Sequence, residues 1–196
     1  ELQREMPLVL VDRKVAPLRS DLVGLDNPAA VRMALEHLEQ QGYREIVLVS
    51  EATDGTSSRL ERLDSFTAEI ARRPALSGAV LELDEALETH LRNFLATPGH
   101  KALFCANGVA ALACTRALKN LRCHLFDDIG LIALDDLDWY PLVGNGITAL
   151  AQPTEAIGAS AFDCLLKRLR GDTEPTRTLD FLPQLIIRGS TTRRQG

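Results

Sequence analysis

The chain has 196 residues, of which 45% are hydrophobic and 25% are charged, and this composition is typical of a folded globular protein and excludes a disordered one. Its formal net charge of -5 argues against a nucleic-acid surface, because phosphate binding depends on clustered lysine and arginine side chains. No apolar run approaches the roughly 20 residues that span a bilayer, and the cysteines lie in or beside apolar runs, so we expect a cytoplasmic protein with no membrane contact.

In chain order, short strand-like apolar segments alternate with longer segments of helical period, which is the pattern of a parallel sheet covered by helices. The first strand begins at Pro7 with no earlier element to pair with, so we expect a fragment of a longer protein. The predicted strands are 8–11, 46–49, 79–83, 103–106, 129–134, 147–150 and 185–187. The predicted helices are 28–41, 58–72, 84–96, 109–119 and 153–170.

Local signals mark the ends of the first helix. Asn27 is expected to cap the free amides, Pro28 supplies a preset first helical residue, and Gly42 is the left-handed stop. At the other end of the chain, Arg188 with Arg193 and Arg194 forms the only local basic excess, and we expect a solvated end there.

The elements do not divide evenly into layers. The run 46–134 contains four strands and three intervening helices, which are enough to close one compact lobe. The flanking elements do not complete a second layer. We therefore expect them to be part of another lobe.

Polar side chains follow the predicted strands, at the edge where ligands bind in open α/β sheets. Asp12 and Arg13 follow the first strand, Asn107 follows the strand at 103–106, and Asp135 follows the strand at 129–134. Carboxylates and amides suit a polyhydroxylated ligand, because a carboxylate accepts two hydroxyl hydrogen bonds and an amide both donates and accepts. The alternative is that these residues only form turns and helix caps.

Enzyme signatures are missing from the sequence. There is no glycine-rich phosphate loop, no G-x-S-x-G elbow and no zinc-protease motif, so we expect no catalysis, no cofactor and no metal. Trp139 is the only tryptophan and follows the strand at 129–134. It is either a core or interface residue or a platform for the C–H face of a sugar.

Eight segments, in order and with the expected spacing, resemble the LacI/GalR family of transcriptional repressors over essentially the whole chain. They are PLVLVDR at 7–13, VGLDN at 23–27, ALEHL at 34–38 with GYREI at 42–46, RLDSF at 62–66, FCAN at 104–107, IGLIALDD at 129–136, GIT at 146–148 leading to QP at 152–153, and LIIRGST at 185–191. The resemblance implies a two-lobed, periplasmic-binding-protein-like α/β fold preceded by a helix-turn-helix headpiece, which this chain lacks. One lobe would be complete and the other partial.

By this resemblance, residues 27–145 form the C-terminal lobe, residues 1–26 belong to a partial N-terminal lobe, and residues 146–196 return to it. The implied effector-binding residues are Asp12, Arg13, Ser58, Arg62, Asn107, Asp135 and Trp139. The sequence departs from the family pattern at Gly108, at 64–65 and at 133–134, which puts the packing near Arg62 and the pocket floor in doubt. Segments 138–139 and 146–153 are most similar to regulators that respond to gluconate and 2-ketogluconate.

The sequence thus predicts the effector-binding domain of a cytoplasmic LacI-type regulator that binds a small sugar or sugar acid, with 2-ketogluconate as the specific expectation. Its other expected partners are operator DNA, bound only through the missing headpiece, and a second copy in a homodimer. The alternative is a periplasmic sugar-binding protein of a transporter, and an enzyme on a related α/β fold is a third possibility.

Overall fold

The computed structural model describes residues 6–16, 18–123 and 128–192. The strands are β1 (Val9–Val11), β2 (Asp21–Leu25), β3 (Glu45–Ser50), β4 (Ser77–Glu82), β5 (Lys101–Cys105), β6 (Gly130–Leu134), β7 (Thr148–Ala151), β8 (Thr178–Phe181) and β9 (Gln184–Ile186). The helices are α1 (Asn27–Gln40), α2 (Ser57–Arg72), α3 (Leu87–Ala96), α4 (Gly108–Asn120) and α5 (Thr154–Leu169).

The strands form two sheets. The larger has six strands in the order β4-β3-β5-β6-β7-β9, and the smaller has three in the order β1-β2-β8. All neighbouring pairs are parallel except β7 with β9, which is antiparallel. The α/β class with parallel sheets and helices is confirmed.

Helices cover both faces of the larger sheet. Along β3, Ile46 and Leu48 face a core formed with α1 and α2, whereas Val47 and Val49 face a core formed with α3 and α4. Because successive strand residues point to opposite faces, a strand buried on both faces must be apolar at every position. This requirement explains the continuous apolar runs that mark these strands in the sequence.

Two strands were not predicted. All five residues of β2 are buried, but Asp21 and Gly24 interrupt its apolar run. Both oxygens of the Asp21 carboxylate accept hydrogen bonds of 2.8 Å from Arg168, and these bonds lower the pKa of the carboxyl. An acidic residue therefore fits inside the smaller sheet because α5 supplies its partner. The other missed strand, β8, is short and lies at the edge of that sheet.

The assignment of 146–196 to the N-terminal lobe is wrong for two strands. β7 pairs with β6, and β9 pairs with β7, so both belong to the larger sheet. Among the elements described in this segment, only α5 and β8 pack with the smaller sheet. The error arises because the sequence of a short apolar strand does not indicate which sheet the strand joins. The three-part division into 1–26, 27–145 and 146–196 otherwise stays a prediction.

The basic end is not simply solvated. Arg188 makes two hydrogen bonds to the carboxylate of Asp136, at 2.7 and 3.0 Å, and one of 2.9 Å to the carbonyl of Ile147. Arg193 and Arg194 lie outside the described residues. No helix in the described part of the chain is both long enough and apolar enough to cross a membrane.

Asp26, not Asn27, caps α1. Oδ1 of Asp26 accepts a hydrogen bond of 2.8 Å from the amide of Ala29, and Asn27 is already the first helical residue. The other end of the helix follows the prediction, since Gly42 has a φ of 86°. The shift by one residue leaves the side chain of Asn27 available for other contacts.

We predict that Asp26→Ala lowers the free energy of unfolding by about 1 kcal/mol, because the amide of Ala29 loses its acceptor. Asp26→Ser keeps a capping oxygen and is expected to lose much less. Urea denaturation of both variants and the unmodified protein measures the difference. Equal stability of Asp26→Ala and the unmodified protein would contradict the assignment of the cap.

Candidate functional site

A cleft of about 350 Å³ lies between the end of β1, the first turns of α2 and the first turns of α5. The sequence-predicted residues Asp12, Arg13, Ser58, Arg62, Asn107 and Asp135 all line it. The structure thus brings together six of the seven predicted site residues. The remaining lining residues are Val11, Gly24, Arg59, Gln152, Thr154, Ile157 and Gly158.

Two aspartates turn into the cleft from strand ends. Asp12 follows β1 and Asp135 follows β6, and both have left-handed backbones, with φ of 67° and 68°. Each backbone amide still donates to the neighbouring strand at 3.0 Å, from Asp12 to Val23 and from Asp135 to Leu150. Left-handed backbone is unfavourable for non-glycine residues, and such strain is concentrated at functional sites.

The carboxylate of Asp12 is surrounded by donors. Nε of Arg13 lies 3.1 Å from Oδ2, and Oγ of Ser58 donates to the same oxygen at 3.4 Å. Nη2 of Arg62 lies 3.9 Å from Oδ1. Because Arg13 and Asp12 follow β1 whereas Ser58 and Arg62 belong to α2, these contacts join elements of the two sheets.

Arg62 is buried at the base of the cleft, with 6% of the residue exposed. Its Nε donates to Oδ1 of Asn27 at 2.7 Å, and its Nη1 donates to the carbonyl of Ala106 at 3.0 Å. Burial lowers the pKa of the guanidinium, and Asp12 and Asp135 oppose this shift. An arginine nevertheless keeps its charge, so Arg62 is a fixed cation.

Arg62 is therefore not an exposed helix residue that forms an ion pair with Glu51 or Glu61. Glu51 pairs with Arg59 at 2.8 Å, and Glu61 pairs with Lys14 at 2.6 Å. The hydrogen bonds that Arg62 makes to the described part of the chain use Nε and Nη1. Nη2 is the end of its planar fork that lies beside Asp12.

Asn107 serves partly as the helix cap that the alternative interpretation expected. Its Oδ1 accepts from the amide of Ala110 at 2.9 Å, and its Nδ2 donates to Glu51 at 2.6 Å. The same Glu51 oxygen accepts from Arg59. The amide of Asn107 therefore already holds α4 and Glu51, and it keeps one N–H and one lone pair to offer a ligand.

Gln152 is a site residue that the sequence analysis quoted within a motif but did not select. Its Nε2 donates to Oδ1 of Asp135 at 2.6 Å, which fixes that carboxylate at the cleft. Gln152 lies between β7 and α5, where the chain passes from the larger to the smaller sheet. Its position just before Pro153 and the start of a helix is the sequence feature that could have identified it as a site residue.

Trp139 does not line the cleft, so the geometry does not support its predicted place in the binding site. Its ring packs edge-on against Tyr140, with ring centroids 4.6 Å apart, and it borders the core between the larger sheet, α3 and α4. The hydroxyl of Tyr140 donates to the carbonyl of Leu134 at 3.1 Å, and burial raises the pKa of this phenol. The indole is therefore a packing residue.

The charges at the cleft suit an anion that also carries hydroxyl groups. Three arginines and two aspartates line it. A buried arginine fork binds a carboxylate well, and carboxylates accept from hydroxyl groups. The described residues contain no group of three or more histidine, cysteine or acidic side chains that could hold a metal ion.

Comparison with known proteins identifies the family of the chain. Residues 35–191 match the model of the periplasmic binding protein-like domain family. The chain is 60% identical over 192 residues to the HTH-type transcriptional regulator PtxS of Pseudomonas aeruginosa, covering 97% of this chain and 56% of that protein. It is 32% identical over 196 residues to the HTH-type transcriptional regulator KdgR of Bacillus subtilis, covering 96% of this chain and 58% of that protein. The chain thus spans little more than half the length of these relatives.

Solved structures show the same fold. A periplasmic binding protein/LacI transcriptional regulator from Alkaliphilus metalliredigens, complexed with D-xylulofuranose, superposes with a TM-score of 0.81 at 21% identity and covers 95% of this chain and 71% of that one. A LacI family transcriptional regulator from Enterococcus faecium, with bound ribose, superposes with a TM-score of 0.77 at 20% identity. The match covers 96% of this chain and 72% of that one.

We predict that Trp139→Phe changes the affinity for 2-ketogluconate, the ligand expected from the sequence, by less than about 2-fold, because the indole lies outside the cleft. The free energy of unfolding is expected to fall by about 1 kcal/mol through lost packing. Isothermal calorimetry and urea denaturation measure the two effects. A loss of affinity of 10-fold or more with unchanged stability would return Trp139 to the binding site.

Proposed function

Because the chain belongs to the periplasmic binding protein-like domain family of LacI/GalR-type transcriptional regulators, we propose that its cleft binds a small sugar acid as the effector of such a regulator. The observation that carries the proposal is the buried cation of Arg62, whose Nη2 lies beside Asp12 at the cleft. A buried charge is costly unless it is paired. An anionic ligand would supply a second negatively charged partner for Arg62, beside Asp12.

A carboxylate and several hydroxyl groups are the features that this cleft is suited to recognise. The ligand carboxylate would accept from Nη2 of Arg62 and from the exposed side chain of Arg13. The carboxylates of Asp12 and Asp135 would accept from ligand hydroxyls. Among acids of this kind we propose 2-ketogluconate, because segments 138–139 and 146–153 are similar to regulators that respond to gluconate and 2-ketogluconate.

The effector would act by holding the two sheets together. Asp12 follows β1 of the smaller sheet, whereas Arg62 and Asp135 belong to elements of the larger one. A ligand that contacts all three stabilises the closed arrangement, and it shifts the population of the protein toward that state. We propose that closure alters operator binding by a helix-turn-helix segment of the longer protein, acting in the cytoplasm.

The relatives favour a regulator over the two alternatives. Those at 60% and 32% identity are transcriptional regulators, not transport proteins. We accordingly propose that the bound sugar acid is released unchanged and that this domain contacts no DNA itself, consistent with its net charge of -5.

We predict that Arg62→Ala in the full-length protein weakens 2-ketogluconate binding by about 10- to 150-fold, because a charge-assisted hydrogen bond contributes roughly 1.5–3 kcal/mol. Arg62→Lys is expected to restore part of the affinity, since it keeps the charge but loses the planar fork. Fructose, which has an alcohol in place of the carboxylate, is expected to bind weakly to the unmodified protein and to lose little affinity in Arg62→Ala. Isothermal calorimetry measures all these values.

Arg72→Ala is the matched control for this experiment. Arg72 lies on the same helix, but its side chain is 73% exposed and pairs with Glu69. The control is expected to bind 2-ketogluconate as the unmodified protein does. Equal affinities of the unmodified protein for 2-ketogluconate and fructose, or an unchanged affinity in Arg62→Ala, would remove the anion site from Arg62.

We also propose a homodimer that forms through α4 and the loop after β6. Val109, Leu112 and Leu137 are exposed there by 56%, 38% and 37% and form an apolar surface. Tyr140, which follows Leu137 closely in the chain, is completely buried and cannot contact a partner. Closed two-fold pairs are the commonest assembly of soluble proteins.

We predict that the full-length protein is a dimer in light scattering at tens of micromolar and that Val109→Asp shifts it toward the monomer. The control is Val80→Asp, at a valine that is 41% exposed on the edge strand β4 and away from α4. A monomer before any substitution, or equal dissociation by both variants, would contradict an interface at α4.

A further inference from the structure

Asn27 connects the cleft arginine to an ion pair between the two sheets. Asn27 is only 2% exposed, and the oxygen and the nitrogen of its side-chain amide have different partners. Oδ1 accepts from Nε of Arg62 at 2.7 Å, and Nδ2 donates to Oε2 of Glu61 at 3.0 Å. Arg62 and Glu61 are neighbours on α2, whereas Asn27 opens α1 directly after the chain leaves β2.

The chemistry of these partners suits an amide. Arg62 can only donate and the ionised Glu61 can only accept, so the residue between them must accept at one end and donate at the other. The two partners therefore fix the orientation of the Asn27 amide. An alkyl side chain would satisfy neither partner, and a carboxylate would satisfy Arg62 but repel Glu61.

The chain of contacts continues to the other sheet. Oε1 of Glu61 accepts from Nζ of Lys14 at 2.6 Å, and the backbone amide of Lys14 donates to Ser57 at 2.8 Å. Glu61 raises the pKa of Lys14 through this hydrogen bond. Lys14 follows β1 of the smaller sheet, and α2 packs on the larger sheet. One uninterrupted series of side-chain contacts thus runs from Lys14 to the cleft.

We infer that Asn27 is a positioning residue for effector binding, which rests on the proposed role of Arg62. Nε and Nη1 of Arg62 are its two anchors, on Asn27 and on the carbonyl of Ala106. Two anchors fix the plane of a guanidinium, whereas one leaves it free to pivot. Asn27 therefore directs Nη2 of Arg62 at the cleft, and Glu61 with Lys14 holds Asn27 in place. Binding sites need this support, because a small loss of orientation weakens recognition.

The selectivity for an acid over its neutral analogue separates positioning from a general structural role. Asn27→Ala is expected to weaken 2-ketogluconate binding roughly 10-fold and to leave fructose binding within about 2-fold. A variant that merely loosened the fold would weaken both ligands alike. The matched control is Asn120→Ala, since the amide of Asn120 also donates to a glutamate, Glu88 at 3.3 Å, but lies on α4 away from the lining residues.

A charge-conserving pair of substitutions gives an independent test. Asn27→Asp alone places a second carboxylate against Glu61 and is expected to weaken 2-ketogluconate binding. Asn27→Asp combined with Glu61→Gln keeps the net charge and reverses the hydrogen bond, because the new glutamine donates to the new aspartate while Arg62 keeps its acceptor. The double variant is expected to return the ratio of the two affinities to within about 3-fold of the unmodified protein. This comparison carries the test if Asn27→Ala does not fold.

Calorimetry of the full-length protein with 2-ketogluconate and fructose measures each ratio, and circular dichroism checks that each variant is folded. A selective loss of acid binding in Asn27→Ala or Asn27→Asp, restored in the double variant, supports the inference. If Arg62→Ala weakens the acid but the Asn27 variants keep the ratio, or lose both ligands equally, the inference is overturned and the proposed function stands. If Arg62→Ala leaves the acid affinity unchanged, both are overturned.

Discussion

A buried guanidinium has five N–H donors that need partners, and this requirement organises the region around the cleft. Nε of Arg62 takes Asn27 at the start of α1, and Nη1 takes the carbonyl of Ala106 just after β5. These bonds tie α2 to α1 and to the end of a central strand of the larger sheet. The remaining end of the fork lies beside Asp12 of the other sheet. At the cleft, Nη2 of Arg62 can therefore still donate a hydrogen bond to a ligand.

The path of the chain explains why the cleft lies between the sheets. Within the described residues, the chain crosses between them after β2, after β7 and after β8. The first and third crossings are close together, since the amide of Asp26 in the first donates to Phe181 beside the third at 2.8 Å. Gln152 in the second holds Asp135 at the cleft. The lining of the cleft and the crossings therefore share Gln152, and this is the basis of the proposal that a ligand in the cleft changes how the sheets are held.

The sequence was most informative where burial leaves a continuous or periodic pattern. Every strand buried in the larger sheet was predicted, because apolar residues at consecutive positions are required on both faces. The strand β2 was missed because Asp21 needs a partner that is 147 residues away, Arg168 on α5, which no local pattern reveals. The sheet of β7 and β9 was misassigned for a similar reason, since pairing is a long-range property. Six residues predicted from strand ends and the family resemblance line the cleft. Trp139 lies outside it, because an aromatic residue near a strand end is as often a packing residue.

The central claim is that the cleft takes the carboxylate of a sugar acid at Arg62. A crystal structure of the protein with 2-ketogluconate tests this claim most directly, because it places the ligand atoms without reference to affinities. The account predicts a carboxylate oxygen within about 3 Å of Nη2 of Arg62, with ligand hydroxyls donating to Asp12 and Asp135. A ligand bound with its carboxylate turned to solvent, or bound outside the cleft, would contradict it.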